Sequence, residues 1–131
     1  MIKIYSNTLL KILTLGQSFS AITLGVFVIF KNRSVATARV VNHEHIHVKQ
    51  QVELLFIGMW LLYALSYIFN RIKLLVGKEL PVRTYWNTSH MKAYRNIIFE
   101  REAYGNDTNL DYIKNRKSFA WLAYINKTKR S

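Results

Sequence analysis

Residues 42–69 read NHEHIHVKQQVELLFIGMWLLYALSYIF, and this stretch decides the fold. It contains no proline, and Gly58 is its only glycine, so a helix can run through it without a strong breaker. We predict one long helix from about residue 35 to residue 76, with Ser34 as its N-cap. The half from 54 to 69 is apolar on every side, which is typical of a helix that is buried all round or lies in lipid.

The segment before this helix favours β structure. Residues 21–30 are rich in Thr, Ile, Val and Phe, which predicts a short β-hairpin or an edge strand. The alternative is a membrane helix over residues 12–30, because these 19 positions carry no charge.

The segments after the long helix predict more helix. The glycine and proline of residues 77–87 indicate a loop. Thr88 or Ser89 then caps a second helix that covers about 89–105, and a third helix covers about 110–125. The predicted fold is therefore mainly α, with a possible short N-terminal β-hairpin, in a single domain over residues 1–131.

Composition narrows the class of protein. The chain has 131 residues, of which 50% are hydrophobic, and it contains no cysteine, which excludes disulfide scaffolds, cysteine nucleophiles and cysteine-based metal sites. A net charge of +12 indicates an anionic partner, either nucleic acid or a membrane surface. The basic residues are scattered along the chain and no nucleic-acid-binding motif appears, which disfavours nucleic acid as the partner. Because the chain also contains a long apolar run, we expect its anionic partner to be membrane lipid.

Residues 43–47, His-Glu-His-Ile-His, form the pattern HExxH. On a helix with about 100° per residue, His43 and His47 lie about 40° apart, so both rings can reach one metal ion. Glu44 lies about 100° from His43, close enough to hold a water on the ion without binding the ion itself. The pattern therefore predicts zinc-assisted hydrolysis, with Glu44 accepting the proton of the water. His45 points to the far side of the helix, where we expect a partly exposed polar residue.

A catalytic zinc site needs a third protein ligand, and three residues are candidates. Glu100 is favoured, because on the second predicted helix it shares a face with Ala93 and Ala103, whose small side chains let two helices approach closely. Glu102 points away from that face, and we expect it to pair with an arginine. His90 is the remaining candidate.

An HExxH pattern followed by a Glu-x-x-Ala helix resembles the gluzincin clan of zinc metallopeptidases. In that clan the third ligand is the glutamate of an ExxAD or ExxAN motif, and the matching string here is Glu100-Arg101-Glu102-Ala103-Tyr104. Tyr104 replaces the Asp or Asn that steadies a ligand histidine in the clan, and Asp107 is a candidate for that role. The strings at 42–53 and 93–106 also resemble a group of small bacterial membrane-associated proteins, a likeness that implies a site but no substrate.

Several other side chains lie near the predicted metal-binding face, and each has more than one candidate role. Gln50 lies on the metal face, one turn beyond His47, where it can touch substrate, orient a ligand or make an interhelical hydrogen bond. Three residues are possible donors to a tetrahedral oxyanion: His90, Tyr94 and Tyr104. We interpret the aromatic run Trp60, Tyr63 and Tyr67 as packing or interfacial anchoring.

The apolar run and the metal site constrain each other. If residues 54–69 crossed a bilayer, Glu100 would emerge on the side opposite the histidines, and its return would take polar backbone through hydrocarbon. We therefore predict a zincin-like helical hairpin in which the loop lets the second helix run back beside the first. Lipid, a second copy of the chain or the N-terminal segment then covers the apolar half. Several basic residues suit anionic headgroups: Lys114, Arg116, Lys117, Lys127, Lys129 and Arg130.

These observations predict a membrane-associated zinc metallopeptidase, at the bacterial cytoplasmic membrane, that hydrolyses a peptide or protein substrate. Its metal ligands are His43, His47 and Glu100, its cofactor is Zn²⁺, and Glu44 is the general base. The alternative is a non-catalytic metal-binding membrane module with a structural or regulatory role. The presence of Glu44 argues against that alternative, since a structural site does not need this carboxylate.

Overall fold

The computed structural model describes residues 1–83 and 88–126 and shows a mainly helical chain, as the sequence predicted, with a small three-stranded sheet near its N-terminus. A 3₁₀ helix, Ala120–Tyr124, follows the last α-helix. The remaining elements, in chain order, are β1 (Ile2–Tyr5), α1 (Asn7–Leu13), β2 (Ala21–Leu24), β3 (Phe27–Phe30), α2 (Ala38–Glu53), α3 (Ile57–Leu75), α4 (Ser89–Arg95), α5 (Ile98–Asn106) and α6 (Tyr112–Asn115).

The predicted hairpin at 21–30 is confirmed. Strand β2 pairs antiparallel with β3, and Gly25 takes a positive φ of 65° in the turn between them, where L side chains are disfavoured. Strand β1, which was not predicted, pairs in parallel with the other edge of β3. Val28 and Phe30 of β3 are buried against Val48 of α2, so the sheet packs on the helix that carries the HExxH pattern.

The prediction of one continuous helix over 35–76 is wrong, because the chain breaks into α2 and α3. The two helices are bent by 112° at their junction. The N–H of Phe56 donates to the carbonyl of Gln51, the N–H of Leu55 donates to the carbonyl of Val52, and Leu55 has a φ of 51°. These bonds form a Schellman motif, which usually has glycine where this chain has Leu55. The N-cap is also corrected, since Thr37 rather than Ser34 accepts the capping bond of α2.

The second and third predicted helices are also divided. Thr88 caps α4 as predicted, but Asn96 separates α4 from α5, and its side chain bonds to both backbone groups of Val82. In place of a helix over 110–125, the chain forms α6, a turn at Phe119 with a φ of 57°, and the 3₁₀ helix. The described part of the predicted loop, 77–83, contains neither helix nor strand; residues 84–87 lie outside the described residues.

The chain returns along itself, so that α4 contacts α3 and α5 contacts α2. The second predicted helical region therefore lies beside the first, with Glu100 on α5 next to the histidines of α2. Within 1–83 and 88–126, no helix has the length and apolar character to cross a membrane alone; α2 and α3 meet these criteria only as a bent pair.

Candidate metal centre

Helices α2 and α5 form the site, and Asn42 fixes their relative position. The side-chain nitrogen of Asn42 lies 3.0–3.1 Å from the carbonyl oxygens of Asn106, Asp107 and Asn109, to which it donates. These carbonyls lie at and beyond the end of α5, where backbone acceptors lack helical partners. Ala103 is fully buried and adds little bulk on α5. Asn42 was not among the residues that the sequence pointed to, although it directly precedes the HExxH pattern.

The structure brings His43, His47 and Glu100 together in one buried cluster. The Nε2 atoms of the two histidines are 3.2 Å apart. Each Nε2 lies 3.4 Å from an oxygen of Glu100, His43 from Oε2 and His47 from Oε1. A tetrahedral ion with ligand bonds of about 2.0–2.1 Å sets its ligand atoms about 3.3 Å apart, so the three donors fit one small cation. This group could hold a metal ion.

The charges of the cluster also fit a cation. Burial alone would lower the pKa of His43, but the nearby carboxylates of Asp107 and Glu100 outweigh burial and raise this pKa to about 9. Burial would raise the pKa of Glu100, yet the adjacent imidazoles of His47 and His43 hold this pKa far below its usual range. The cluster therefore retains an ionised carboxylate and attracts a positive charge, which a proton supplies when no metal is bound.

One oxygen of Glu100 remains unsatisfied by the protein. Oε2 is buried and has no hydrogen-bond partner among the described residues, while Oε1 accepts a hydrogen bond of 2.8 Å from Tyr63. A buried carboxylate oxygen without a donor is costly. A cation between Glu100 and the histidines would satisfy it.

Gln50 determines which nitrogen of His47 is free. The side-chain nitrogen of Gln50 donates to the carbonyl of Phe99 at 3.1 Å and to Oε2 of Glu102 at 2.9 Å, so its oxygen must face His47. That oxygen lies 2.7 Å from Nδ1 of His47. Nδ1 therefore carries the proton, and the lone pair of Nε2 points into the cluster. Gln50 thus orients a predicted ligand and also makes an interhelical hydrogen bond.

Asp107 and Tyr104 border His43. Oδ2 of Asp107 lies 3.7 Å from Nδ1 of His43 and 3.0 Å from Nε of Arg39. The ring of Tyr104 meets the His43 ring edge to face, with centroids 4.4 Å apart, and the Arg95 guanidinium lies over its other side. The Tyr104 ring therefore packs against His43, and Asp107 lies beside a predicted ligand histidine, the residue type that the sequence made it a candidate to steady.

The two alternative third ligands lie outside the cluster. Glu102 pairs with an arginine, as expected; this is Arg116, whose Nε lies 2.5 Å from Oε1 of Glu102. Arg116 also forms an ion pair with Glu53, and its side chain is buried, so it is not available to lipid headgroups as the sequence suggested. His90 contacts the hydroxyl of Tyr67 through Nδ1 at 2.8 Å.

A cavity of about 380 Å³ opens over the cluster. Its lining includes all three donors and Glu44, together with His90 and Tyr94, two of the predicted oxyanion donors. The hydroxyl of Thr23, on β2, donates to Oε2 of Glu44 at 2.6 Å and fixes the direction of the carboxylate. The sheet thus positions the residue that the sequence predicts to be the base.

Tyr63 belongs to the site in a way that the sequence did not indicate. The sequence predicts packing or anchoring for this residue, yet its hydroxyl donates to Glu100 and its side chain lines the cavity. Burial and the nearby Glu100 carboxylate raise the pKa of Tyr63, so the phenol keeps the proton that it donates. Trp60, Tyr63 and Tyr67 all line this cavity from one side of α3. Their spacing of three and four residues on an apolar helix is the signal that could have indicated a shared face.

Comparison of the chain with protein-family models, with curated proteins and with solved structures gave no match.

Proposed function

We propose that this protein is a zinc-dependent peptidase in which His43, His47 and Glu100 hold the ion and Glu44 is the general base. The observation that carries the proposal is the convergence of three buried donors at 3.2–3.4 Å, with a fourth polar side chain, Glu44, facing the same cavity. A structural metal site has no use for that additional carboxylate.

The donor set favours zinc. Two imidazole nitrogens and one carboxylate oxygen suit this ion, and three protein ligands leave one coordination position open for water or substrate. Zinc held by these three residues would supply Lewis acidity for the hydrolysis of an amide.

The remaining steps belong to the side chains of this chain. Glu44, with one oxygen held by Thr23, accepts the proton of the attacking water and passes it to the amine that leaves when the amide C–N bond breaks. Gln50 holds a proton of His47 on Nδ1, so that Nε2 is the nitrogen that binds the ion, and Tyr63 holds Glu100 from the cavity side. His90 and Tyr94 line the cavity where the carbonyl oxygen acquires negative charge, and they are our candidates to stabilise it.

The proposal is tested with the zinc-loaded full chain, its Glu44→Gln variant and a library of internally quenched peptides. We expect the wild-type chain to cleave members of the library, and the variant to bind zinc equally but to lose cleavage by at least about 100-fold. Removal of zinc with a chelator should abolish cleavage, and added zinc should restore it. Equal cleavage by Glu44→Gln, or cleavage that persists without zinc, would contradict the proposal.

A further inference from the structure

Helix α3 exposes an apolar face that no other part of the described chain covers. Its exposed members recur every three or four residues, the spacing of a single helix face. They are Ile57, Leu61, Leu65, Ile68, Ile72 and Leu75. Ile57 is 81% exposed and Leu75 is 79% exposed, so the face extends along the whole helix. A continuous exposed apolar face of this length marks an interaction surface.

The charged residues of α3 and of the turn that follows it are all basic as far as Lys78. No acidic residue occurs between Leu54 and Lys78, whereas Arg71 and Lys73 lie near the C-terminal end of α3 and Lys78 lies three residues beyond it. The ammonium of Lys73 lies 4.5 Å from the centroid of the Phe69 ring, so its stem follows the apolar surface while its charge stays at the edge.

The acidic residues of the chain are mostly turned inward. Five of its seven carboxylates belong to the metal centre or to the ion pairs beside it: Glu44, Glu53, Glu100, Glu102 and Asp107. Within residues 1–83 and 88–126, the exposed acidic residues are Glu79 and Asp111, and Glu79 pairs with Arg83. The outer surface is therefore strongly positive. Two copies of a chain of net charge +12 repel each other, whereas an anionic bilayer attracts one copy.

We propose that α3 lies along the surface of an anionic bilayer, with this apolar face among the acyl chains and Arg71, Lys73 and Lys78 at the lipid phosphates. The other side of α3 contacts α4 and α5, so the helix can face lipid without losing its packing. An amphipathic helix with Trp, Phe and Leu on one side and flanking cations is typical of such interfacial binding.

This orientation also indicates the class of substrate, an extension that rests on the proposed function. Trp60 and Ala64 are exposed on α3 and also line the cavity over the metal centre. The cavity then opens beside the lipid surface, and the substrate is a peptide segment presented at that surface.

Vesicle sedimentation of the full chain tests the docking. The vesicles are of phosphatidylcholine alone or of phosphatidylcholine mixed equally with phosphatidylglycerol. We expect wild type to bind the anionic vesicles at least about tenfold more tightly than the neutral ones. The variant Leu61→Ser/Leu65→Ser should bind anionic vesicles at least about tenfold more weakly than wild type, because two side chains no longer enter the acyl region.

A matched control comes from two leucines elsewhere. Leu110 and Leu122 are 61% and 51% exposed, close to the 61% and 53% of Leu61 and Leu65. Leu110→Ser/Leu122→Ser should bind as wild type does, and all three proteins should give the same circular dichroism spectrum. Equal binding by the α3 variant and wild type, or no binding of wild type to anionic vesicles, would overturn the proposal. So would a dimer in vesicle-free solution that the α3 variant dissociates, because the face would then belong to a second copy.

The failure of this proposal and that of the proposed function are distinguishable. Glu44→Gln should bind vesicles as wild type does, since Glu44 lies in the site and not on the α3 face. Vesicle binding without any peptidase activity would count against the proposed function alone.

The class of substrate has its own test. A quenched peptide tethered to anionic vesicles should be cleaved at least about tenfold faster than the same peptide free in solution. Equal rates would overturn this extension and leave the docking intact.

Discussion

The side-chain oxygen of Gln50 lies 2.7 Å from Nδ1 of His47, and this contact connects the candidate metal centre to a buried ion pair. Gln50 is held in turn by Glu102, and Glu102 is held by Arg116. The chain of contacts fixes both the ring orientation and the tautomer of His47. Residues that are far apart in the sequence therefore determine together where the lone pair of His47 Nε2 points.

Replacing Gln50 by Leu should weaken metal binding without removing any ligand. The variant loses the acceptor that fixes the His47 tautomer, so we expect the zinc affinity to fall about 10–100-fold. Competition with a chromogenic chelator measures this change.

The neighbouring Gln51 gives a control for the loss of a buried amide. It is equally inaccessible, but its side chain bonds to the backbone of Gly25 and Thr23 on the hairpin. Gln51→Leu should lower the free energy of unfolding and leave the zinc affinity unchanged. A similar loss of zinc affinity in both variants would show that Gln50 acts only through general stability.

Replacing Tyr63 by Phe should loosen the third ligand. The hydroxyl of Tyr63 donates to Oε1 of Glu100, so its removal frees the carboxylate to rotate, and we expect a fall in zinc affinity of about tenfold with one ion still bound per chain. Tyr67→Phe is the control, because Tyr67 contacts His90 outside the cluster. Unchanged affinity in Tyr63→Phe would mean that the contact with Glu100 has no role in holding the metal.

Replacing Leu55 by Gly should stabilise the fold. Leu55 has a φ of 51° at the end of α2, where glycine avoids the clash of the side chain, so we expect the free energy of unfolding to rise by about 0.5–1 kcal/mol. Leu62→Gly, at an exposed position inside α3, should instead lower it by about 1 kcal/mol. Chemical denaturation measures both changes. If Leu55→Gly destabilises the protein as Leu62→Gly does, the chain continues as helix through residue 55.

The helical phase of the HExxH pattern was predictable because α2 stays regular from Ala38 to Glu53. Within a regular helix, the angle between His43 and His47 follows from geometry alone. The preference for Glu100 over Glu102 rested on the phase of the second helix, and the structure places Glu100 at the histidines and Glu102 at an arginine. Helical periodicity therefore predicted which residues share a face within each helix separately.

The helix breaks were not predictable, because they depend on tertiary contacts. The Schellman motif after α2 has Leu55 where the sequence signal would be glycine, and Phe56 packs close to Gly25 of the hairpin. Asn96 ends α4 by bonding to Val82, fourteen residues earlier. The partnership of Arg116 with Glu53 and Glu102 is likewise long-range. No local propensity encodes such pairs.

Zinc titration of the metal-free full chain is the most direct test of the central claim, that His43, His47 and Glu100 bind one zinc ion. Wild type is compared with His47→Ala, Glu100→Ala and His45→Ala; His45 belongs to the same pattern but lies outside the cluster. We predict one zinc per chain for wild type and for His45→Ala with equal affinity. The other two variants should bind at least about 100-fold more weakly, because each has lost one of three ligands. Equal affinity in all four proteins, or no zinc bound by wild type, would contradict the account.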